Sequence, residues 1–201
     1  MKPRNIFLIS GLVTFLVLAG VYAVFHVTDN RAVTASTGTA EIGGPFQLTD
    51  QDGRPVDESL LDDRLSVIYF GYTFCPDVCP TTLQDISTAL DMMGDDGDQV
   101  QPIFITVDPE RDTVEVVKDY VGWFRPGTVG LTGTVEQVEA VKAAYKVYST
   151  KAPQEDDETG DLYLVDHTSI TYVMGPDGNF ITHFSYGASP EEMALKLADL
   201  L

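Results

Sequence analysis

The 201 residues contain two cysteines, Cys75 and Cys79, one helical turn apart at i, i+4. They lie in Phe70-Gly71-Tyr72-Thr73-Phe74-Cys75-Pro76-Asp77-Val78-Cys79-Pro80. An apolar run, Leu65 to Phe70, leads into this stretch, and a helical pattern, Thr81 to Met93, leads out. Two thiols where a strand becomes a helix can close a disulfide or clasp a soft metal ion. In a helical segment both sulfurs point to one side. The dipole and free N–H groups of a helix N-terminus favour the thiolate, the form that attacks and ligates. A purely structural disulfide is a weak reading, because closing so short a loop removes little entropy from the unfolded chain. The spacing is one residue longer than the Cys-x-x-Cys of thiol oxidoreductases. It suits chelation at least as well as dithiol exchange, and by itself decides neither.

A metal needs further ligands, and the chain has three histidines. His26 sits in an apolar N-terminal run and reads as a membrane-interface residue. His183, in Phe180-Ile181-Thr182-His183-Phe184, reads as a strand-face histidine. His167, in Tyr163-Leu164-Val165-Asp166-His167-Thr168-Ser169, stands between an acidic stretch and an apolar strand and is the best candidate. Without the cysteines, it would read as a solvated loop histidine. Two thiolates and one imidazole suit Cu(I), and hold Cu(II) with a fourth ligand. Zinc uses the same donors. Met92 and Met93 fall on a helical apolar pattern and are expected in the core, so they form no methionine-rich copper motif.

The elements that must position these residues are legible in order. Pro45 to Val56, with Asp52-Gly53 between two short runs, predicts a β-hairpin. Leu65 to Phe70 reads as a central strand covered on both faces. Leu83, Ile86, Leu90 and Met93 give the next helix its stripe, and Gly94 to Asp98 breaks it with an acidic loop. Val100 to Val107 is the next strand, followed by a helix carrying Val114, Val117, Tyr120, Val121 and Phe124. Val129 to Leu131 is a short strand. Thr134 and Gln137 form a capping-box pattern opening another helix. Thr150 to Asp161 reads as an exposed, mostly acidic loop. Tyr163 to Met174 contains a strand, Pro176 to Asn179 a turn, and Phe180 to Phe184 a second strand. Ser189-Pro190-Glu191-Glu192 opens the last helix. This order predicts an α/β domain of thioredoxin-like fold with an N-terminal β-hairpin extension.

Charge and hydropathy place the domain. The formal net charge is −19, and residues 1–28 hold Lys2 and Arg4 but none of the 31 acidic side chains. A domain this acidic repels nucleic acid and anionic lipid. Residues 6–27 are apolar, long enough for about 33 Å of helix, which crosses a bilayer. Lys2 and Arg4 put residues 1–5 in the cytoplasm and the acidic domain outside. A cleaved signal peptide ending near Val21-Tyr22-Ala23 is the competing reading, but the apolar run continues to Val27, which favours one uncleaved transmembrane helix. Either way the thiols lie where disulfides persist. No Arg- and Ser-rich transit peptide precedes the run, so the expected site is the outer, periplasmic side of a bacterial cytoplasmic membrane. The expected organisation is a cytoplasmic N-terminus 1–5, an anchor 6–27, a linker 28–41 and a folded domain 42–201.

Three linked motifs resemble one family. Phe70 to Pro80, then Val107-Asp108-Pro109-Glu110-Arg111-Asp112-Thr113, then Val165-Asp166-His167 are similar in type and order to the Sco/SenC family, from about Ile42 to the C-terminus and including the single anchor. The resemblance implies a thioredoxin-like copper protein that helps assemble the binuclear copper centre of cytochrome c oxidase subunit II. It implies Cys75, Cys79 and His167 as ligands of copper, Cu(I) or Cu(II). The Asp108–Asp112 segment is expected to shape the site and cap the next helix. The acidic stretch 154–161, just before His167, is expected to vary the partner surface. A second reading, also allowed by the family, is a thiol-disulfide oxidoreductase that reduces the cysteines of the target copper site. Peroxidase chemistry, echoed in Val78-Cys79-Pro80-Thr81, ranks last, because Pro76 stands where that motif needs threonine.

Overall fold

The computed structural model describes residues 41–153 and 163–201. The expected cytoplasmic segment 1–5, anchor 6–27, linker residues 28–40, His26 and the acidic stretch 154–161 lie outside the described residues. Among the described residues, no helix is long and apolar enough to cross a membrane.

The sheet grows outward from β3 (Leu65–Gly71), whose seven residues are all buried. A strand of Leu, Val, Ile, Tyr and Phe has no polar face to offer water, so it is stable only with strands on both edges and cover on both faces. On one side β4 (Val100–Thr106) runs parallel to it, in register from Leu65 opposite Val100 to Gly71 opposite Thr106. β5 (Val129–Thr132) continues the parallel set. The hairpin of β1 (Gln47–Asp50) and β2 (Pro55–Asp57) closes that edge, with β1 antiparallel to β5. On the other side β8 (Thr171–Met174) and β9 (Phe180–Phe184) add antiparallel strands, giving the order β2-β1-β5-β4-β3-β8-β9.

Among the described residues, four α-helices pack on this sheet: α1 (Val78–Met92), α2 (Val114–Val121), α3 (Val135–Tyr145) and α4 (Pro190–Ala198). The starts of α2, α3 and α4 are written locally, whereas Asp77 makes no side-chain cap on α1. Thr134 and Gln137 make both bonds of the capping box, Thr113 accepts from Val116 N, and Ser189 accepts from Glu192 N with Pro190 behind it. Each cap satisfies an orphan N–H and contributes about 1 kcal/mol. Behind the C-terminal half of β3, Tyr172 meets Phe70 and Tyr145 edge to face, at centroid distances of 5.8 and 5.7 Å, and Phe70 and Tyr145 meet at a tilt, 5.3 Å apart.

Four expectations are corrected. Thr150 onward is not simply loop: Ser149–Pro153 form β6, paired antiparallel with β7 (Tyr163–His167), from Ser149 opposite His167 to Pro153 opposite Tyr163. Tyr163 to Met174 is therefore two strands, β7 and β8, broken at residues 168–170. Met92 is not core. It is the last residue of α1, past the buried stripe of Leu83, Ile86 and Leu90, and is 53% exposed, while Met93 is half-buried. The acidic Gly94–Gln99 stretch coils into a 3-10 turn.

Candidate metal centre

β3 ends at Gly71, and the chain then turns through residues 72–77 into α1. Gly71 has no side chain for a steric reason. A Cβ there would stand 2.9 Å from Tyr69 Cε1 and 3.0 Å from Cys79 Sγ. Cys79 lies in the first turn of α1 and is wholly buried, its sulfur lying over the end of β3. Cys75 lies in the preceding loop and is partly exposed. Both are free thiols. The Cys79 N–H, an orphan donor of the helix N-terminus, points at Cys75 Sγ from 3.3 Å.

The loop that carries Cys75 is held by a buried carboxylate. Asp112 accepts from Thr73 N at 3.1 Å, from Thr73 Oγ1 at 2.6 Å and from Thr106 Oγ1 at 2.5 Å. Burial raises the Asp112 pKa and these donors lower it, with burial the larger effect. The Asp108–Asp112 segment does shape the site, as expected, but it does not itself cap the next helix: the cap of α2 is Thr113, one residue beyond.

His167 closes β7, and its ring reaches across to the thiols. Nε2 stands 3.4 Å from Cys79 Sγ, and Nδ1 stands 3.0 Å from the Thr168 carbonyl oxygen. A carbonyl only accepts, so Nδ1 carries the hydrogen and the Nε2 lone pair faces the sulfur. A backbone bond that fixes the tautomer in this way is the usual support of a metal-ligating imidazole. Tyr69 and Tyr72 meet the ring edge-on, at centroid distances of 6.2 and 5.8 Å. The structure thus brings Cys75, Cys79 and His167 to one place. It leaves His183 on an exposed strand face, stacked on Phe180.

The two thiols differ electrostatically. The Cys75 pKa is lowered to about 3, first by a hydrogen bond from Cys79 and then by the N–H groups of Asp77 and Cys79, against burial. That of Cys79 is raised by the adjacent Cys75 sulfur and by burial. One proton is shared in effect: the outer sulfur is the thiolate and the inner one keeps the hydrogen. The Cys79 S–H faces two acceptors, Cys75 Sγ and His167 Nε2. Among the described residues, no three or more His, Cys, Asp or Glu side chains are already gathered as a closed metal cage. The donors are close, but the sulfurs and imidazole still satisfy one another.

The site opens into a groove of about 240 Å³, lined by Tyr72, Cys75, Asp77, Leu164, Asp166 and His167 among others. Larger hollows of about 480 and 440 Å³ lie elsewhere, without a thiol or an imidazole in their walls, and the chemistry described here does not involve them. Sequence reasoning missed Tyr69, Tyr72 and Tyr163 as neighbours of the site and gave Arg111 no role of its own. The shared motif containing Arg111 was the one signal available.

The SCO1/SenC family model matches residues 34–201. Protein SCO1 homolog 1, mitochondrial, of Arabidopsis thaliana is 44% identical over 150 residues, covering 74% of this chain but only 44% of that protein. An SCO2-like protein of Rickettsia felis is 34% identical over 193 residues, covering 92% of this chain and 93% of that one. The structure of Bradyrhizobium japonicum ScoI with copper bound superposes with a TM-score of 0.72 at 46% identity, over 80% of this chain and 99% of that chain. The mixed α/β architecture is the thioredoxin-like fold of those Sco structures. With the motifs, the fold and these matches in agreement, the chain belongs to the SCO1/SenC family.

Proposed function

We propose that the chain is a membrane-anchored copper metallochaperone that helps assemble the binuclear copper centre of cytochrome c oxidase subunit II, holding its cargo through Cys75, Cys79 and His167. One observation carries the reading. Cys79 Sγ and His167 Nε2, 88 residues apart in sequence, stand 3.4 Å apart, with the imidazole lone pair turned to the sulfur. Two thiolates and an imidazole are the soft donors that select Cu(I), and the same set takes Cu(II) with one more ligand. Zinc accepts these donors too; family membership and the copper-bound ScoI relative favour copper. Cys75, partly exposed and already a thiolate, is the sulfur an incoming target thiolate meets first, so release by ligand exchange starts there. The oxidase partner is carried by the family. The anchor and the outer, periplasmic location are carried by Lys2 and Arg4 ahead of apolar residues 6–27.

The thiol asymmetry favours a second use of the same site, reduction of the disulfide of a target copper site. The Cys75 thiolate attacks one target sulfur, a mixed disulfide forms and the other target sulfur leaves as thiolate. Cys79 then loses its proton, to water or to His167 Nε2, and attacks Cys75 Sγ. The two target sulfurs leave reduced, taking up the Cys79 proton and one from water, and Cys75–Cys79 becomes the disulfide, two electrons having passed. This step suits an exposed thiolate backed by a buried protonated partner.

Competition with a Cu(I) chelator, on the full-length protein, tests the ligand set. His167→Ala is expected to weaken Cu(I) binding at least about tenfold, the least that losing even a ligand's outer-shell partner typically costs, while leaving reduction of a disulfide substrate intact. Unchanged affinity removes His167 from the site. A protein that purifies without copper, and whose thiol midpoint potential ignores added copper, is an oxidoreductase instead.

A further inference from the structure

The Asp108–Asp112 turn touches neither sulfur nor imidazole, yet it grips both arms of the site. Asp112 holds Thr73, two residues before Cys75, through the bonds given above. Its neighbour Arg111 holds the other arm. Arg111 Nη1 donates to the Tyr163 carbonyl oxygen at 2.9 Å, Nε donates to Asp108 Oδ2 at 2.5 Å, and the guanidinium carbon lies 3.6 Å from the centroid of the Tyr163 ring. The Tyr163 hydroxyl donates to the other Asp108 oxygen, Oδ1, at 2.9 Å. Tyr163 is therefore caught by its backbone, its ring face and its hydroxyl. On its flank the same guanidinium lies 5.1 Å from the Phe74 ring centroid and 5.8 Å from that of Tyr72. A second tie parallels it: Lys151 of β6 pairs with Glu110 and lies over the Tyr163 ring at 4.6 Å.

Tyr163 opens β7 and His167 closes it. Among the described residues β6 and β7 pair only with each other and join no other strand. The ladder of the main sheet therefore does not hold His167 in place. We propose that Arg111 is the positioning residue of the site, locking the β6–β7 hairpin to the turn that also holds the cysteine loop and so setting His167 against Cys79. The ion pair is nearly buried, with side chains 23% and 2% exposed for Arg111 and Asp108. A pair this buried adds little net stability, since desolvation offsets its attraction; its contribution here is register. Arginine is required because one planar fork serves the carboxylate, the carbonyl and the ring together, which a single ammonium cannot. The clasp itself stands on geometry, and its consequence for metal binding rests on the copper reading above.

The first measurement needs no metal. In the full-length, metal-free protein, Arg111→Met is expected to speed amide hydrogen exchange in β6 and β7 about tenfold or more, while amides of β3 and β4 keep their protection. Arg111→Lys should give most of the same effect. Unchanged exchange in the hairpin, or full rescue by lysine, overturns the proposal. Should Arg111→Met lose the whole fold, Tyr163→Phe, which deletes only the hydroxyl bond to Asp108, carries the same comparison with a smaller expected acceleration. The second measurement is Cu(I) competition. Arg111→Met should weaken binding about tenfold, and should weaken it no further in a His167→Ala background, because both act through one ligand. Additive losses overturn the positioning role. If His167→Ala alone leaves Cu(I) affinity unchanged, the copper reading fails, and the exchange data still judge the clasp.

Discussion

Cys79 and His167 stand 3.4 Å apart, yet the elements that carry them differ in almost every physical respect. The thiol arm hangs from β3, a strand buried along its whole length and paired on both edges. Its loop is stitched to a buried carboxylate, and its helix packs against α4. The imidazole arm is a two-stranded ribbon, and such a pair is marginal in water without further packing. Its hold on the domain comes from side chains: Tyr163 and Val165 buried in the core, Arg111, Asp108 and Lys151 around Tyr163, and Tyr69 and Tyr72 around the imidazole. The difference suits a carrier. A rigid dithiol arm keeps the soft donors poised, and an imidazole on a separate ribbon can shift without opening the main sheet.

The largest expected effect breaks the thiol arm alone. Cys75→Ser and Cys79→Ser should each weaken Cu(I) binding at least about a thousandfold, or about 4 kcal/mol, and abolish disulfide reduction, with the hairpin unperturbed. Tight Cu(I) binding by either single variant in the chelator competition would rule out two-thiolate ligation.

Gly71→Ala comes next. The new methyl must displace Tyr69 or the Cys79 sulfur, so overpacking should cost about 1–3 kcal/mol in denaturant unfolding and shift the thiol titration. An unchanged unfolding midpoint would mean that the end of β3 yields more easily than its burial implies.

A matched pair of hydroxyl deletions compares the arms directly. Thr73→Val removes a 2.6 Å bond to buried Asp112 and should cost about 1–3 kcal/mol of global stability. Thr168→Val removes the acceptor of the Tyr148 N–H and should cost about 0.5–1.5 kcal/mol at most, seen as faster amide exchange in the hairpin. Equal global effects would erase the distinction between the arms.

The smallest effect is a slope. Burial raises the folded-state pKa of Asp112 above its unfolded value. The folded protein therefore binds that proton more tightly. The contribution is complete below the unfolded carboxylate range, about pH 4, and is lost as pH rises through the folded value. Asp112→Asn should flatten this fall in stability, measured by thermal unfolding across mildly acidic pH. An identical slope in the variant would show that Asp112 titrates as it does in the unfolded chain.

Legibility in the sequence followed the same division. The thiol arm could be read because its signals are local: an apolar run, a cysteine pair at helical spacing, and the apolar stripe of Leu83, Ile86 and Leu90. The hairpin was only half legible. Ser149-Thr150-Lys151-Ala152-Pro153 is short and polar and has no apolar alternation, so β6 exists only through its pairing with β7. Met92 kept the helical period of its neighbours but fell one turn past the core.

By itself, then, the sequence determined the order of most elements along the chain, the pair of sulfurs at the head of α1 and the family. Those properties reside in spacing and periodicity. Only the tertiary structure decided that the Nε2 lone pair of His167 faces Cys79, that Asp112 holds the cysteine loop, and that Arg111 joins the two arms. Those contacts link residues 39 to 88 positions apart. No local preference encodes such distances; they follow from which strand ends the packed sheet brings together.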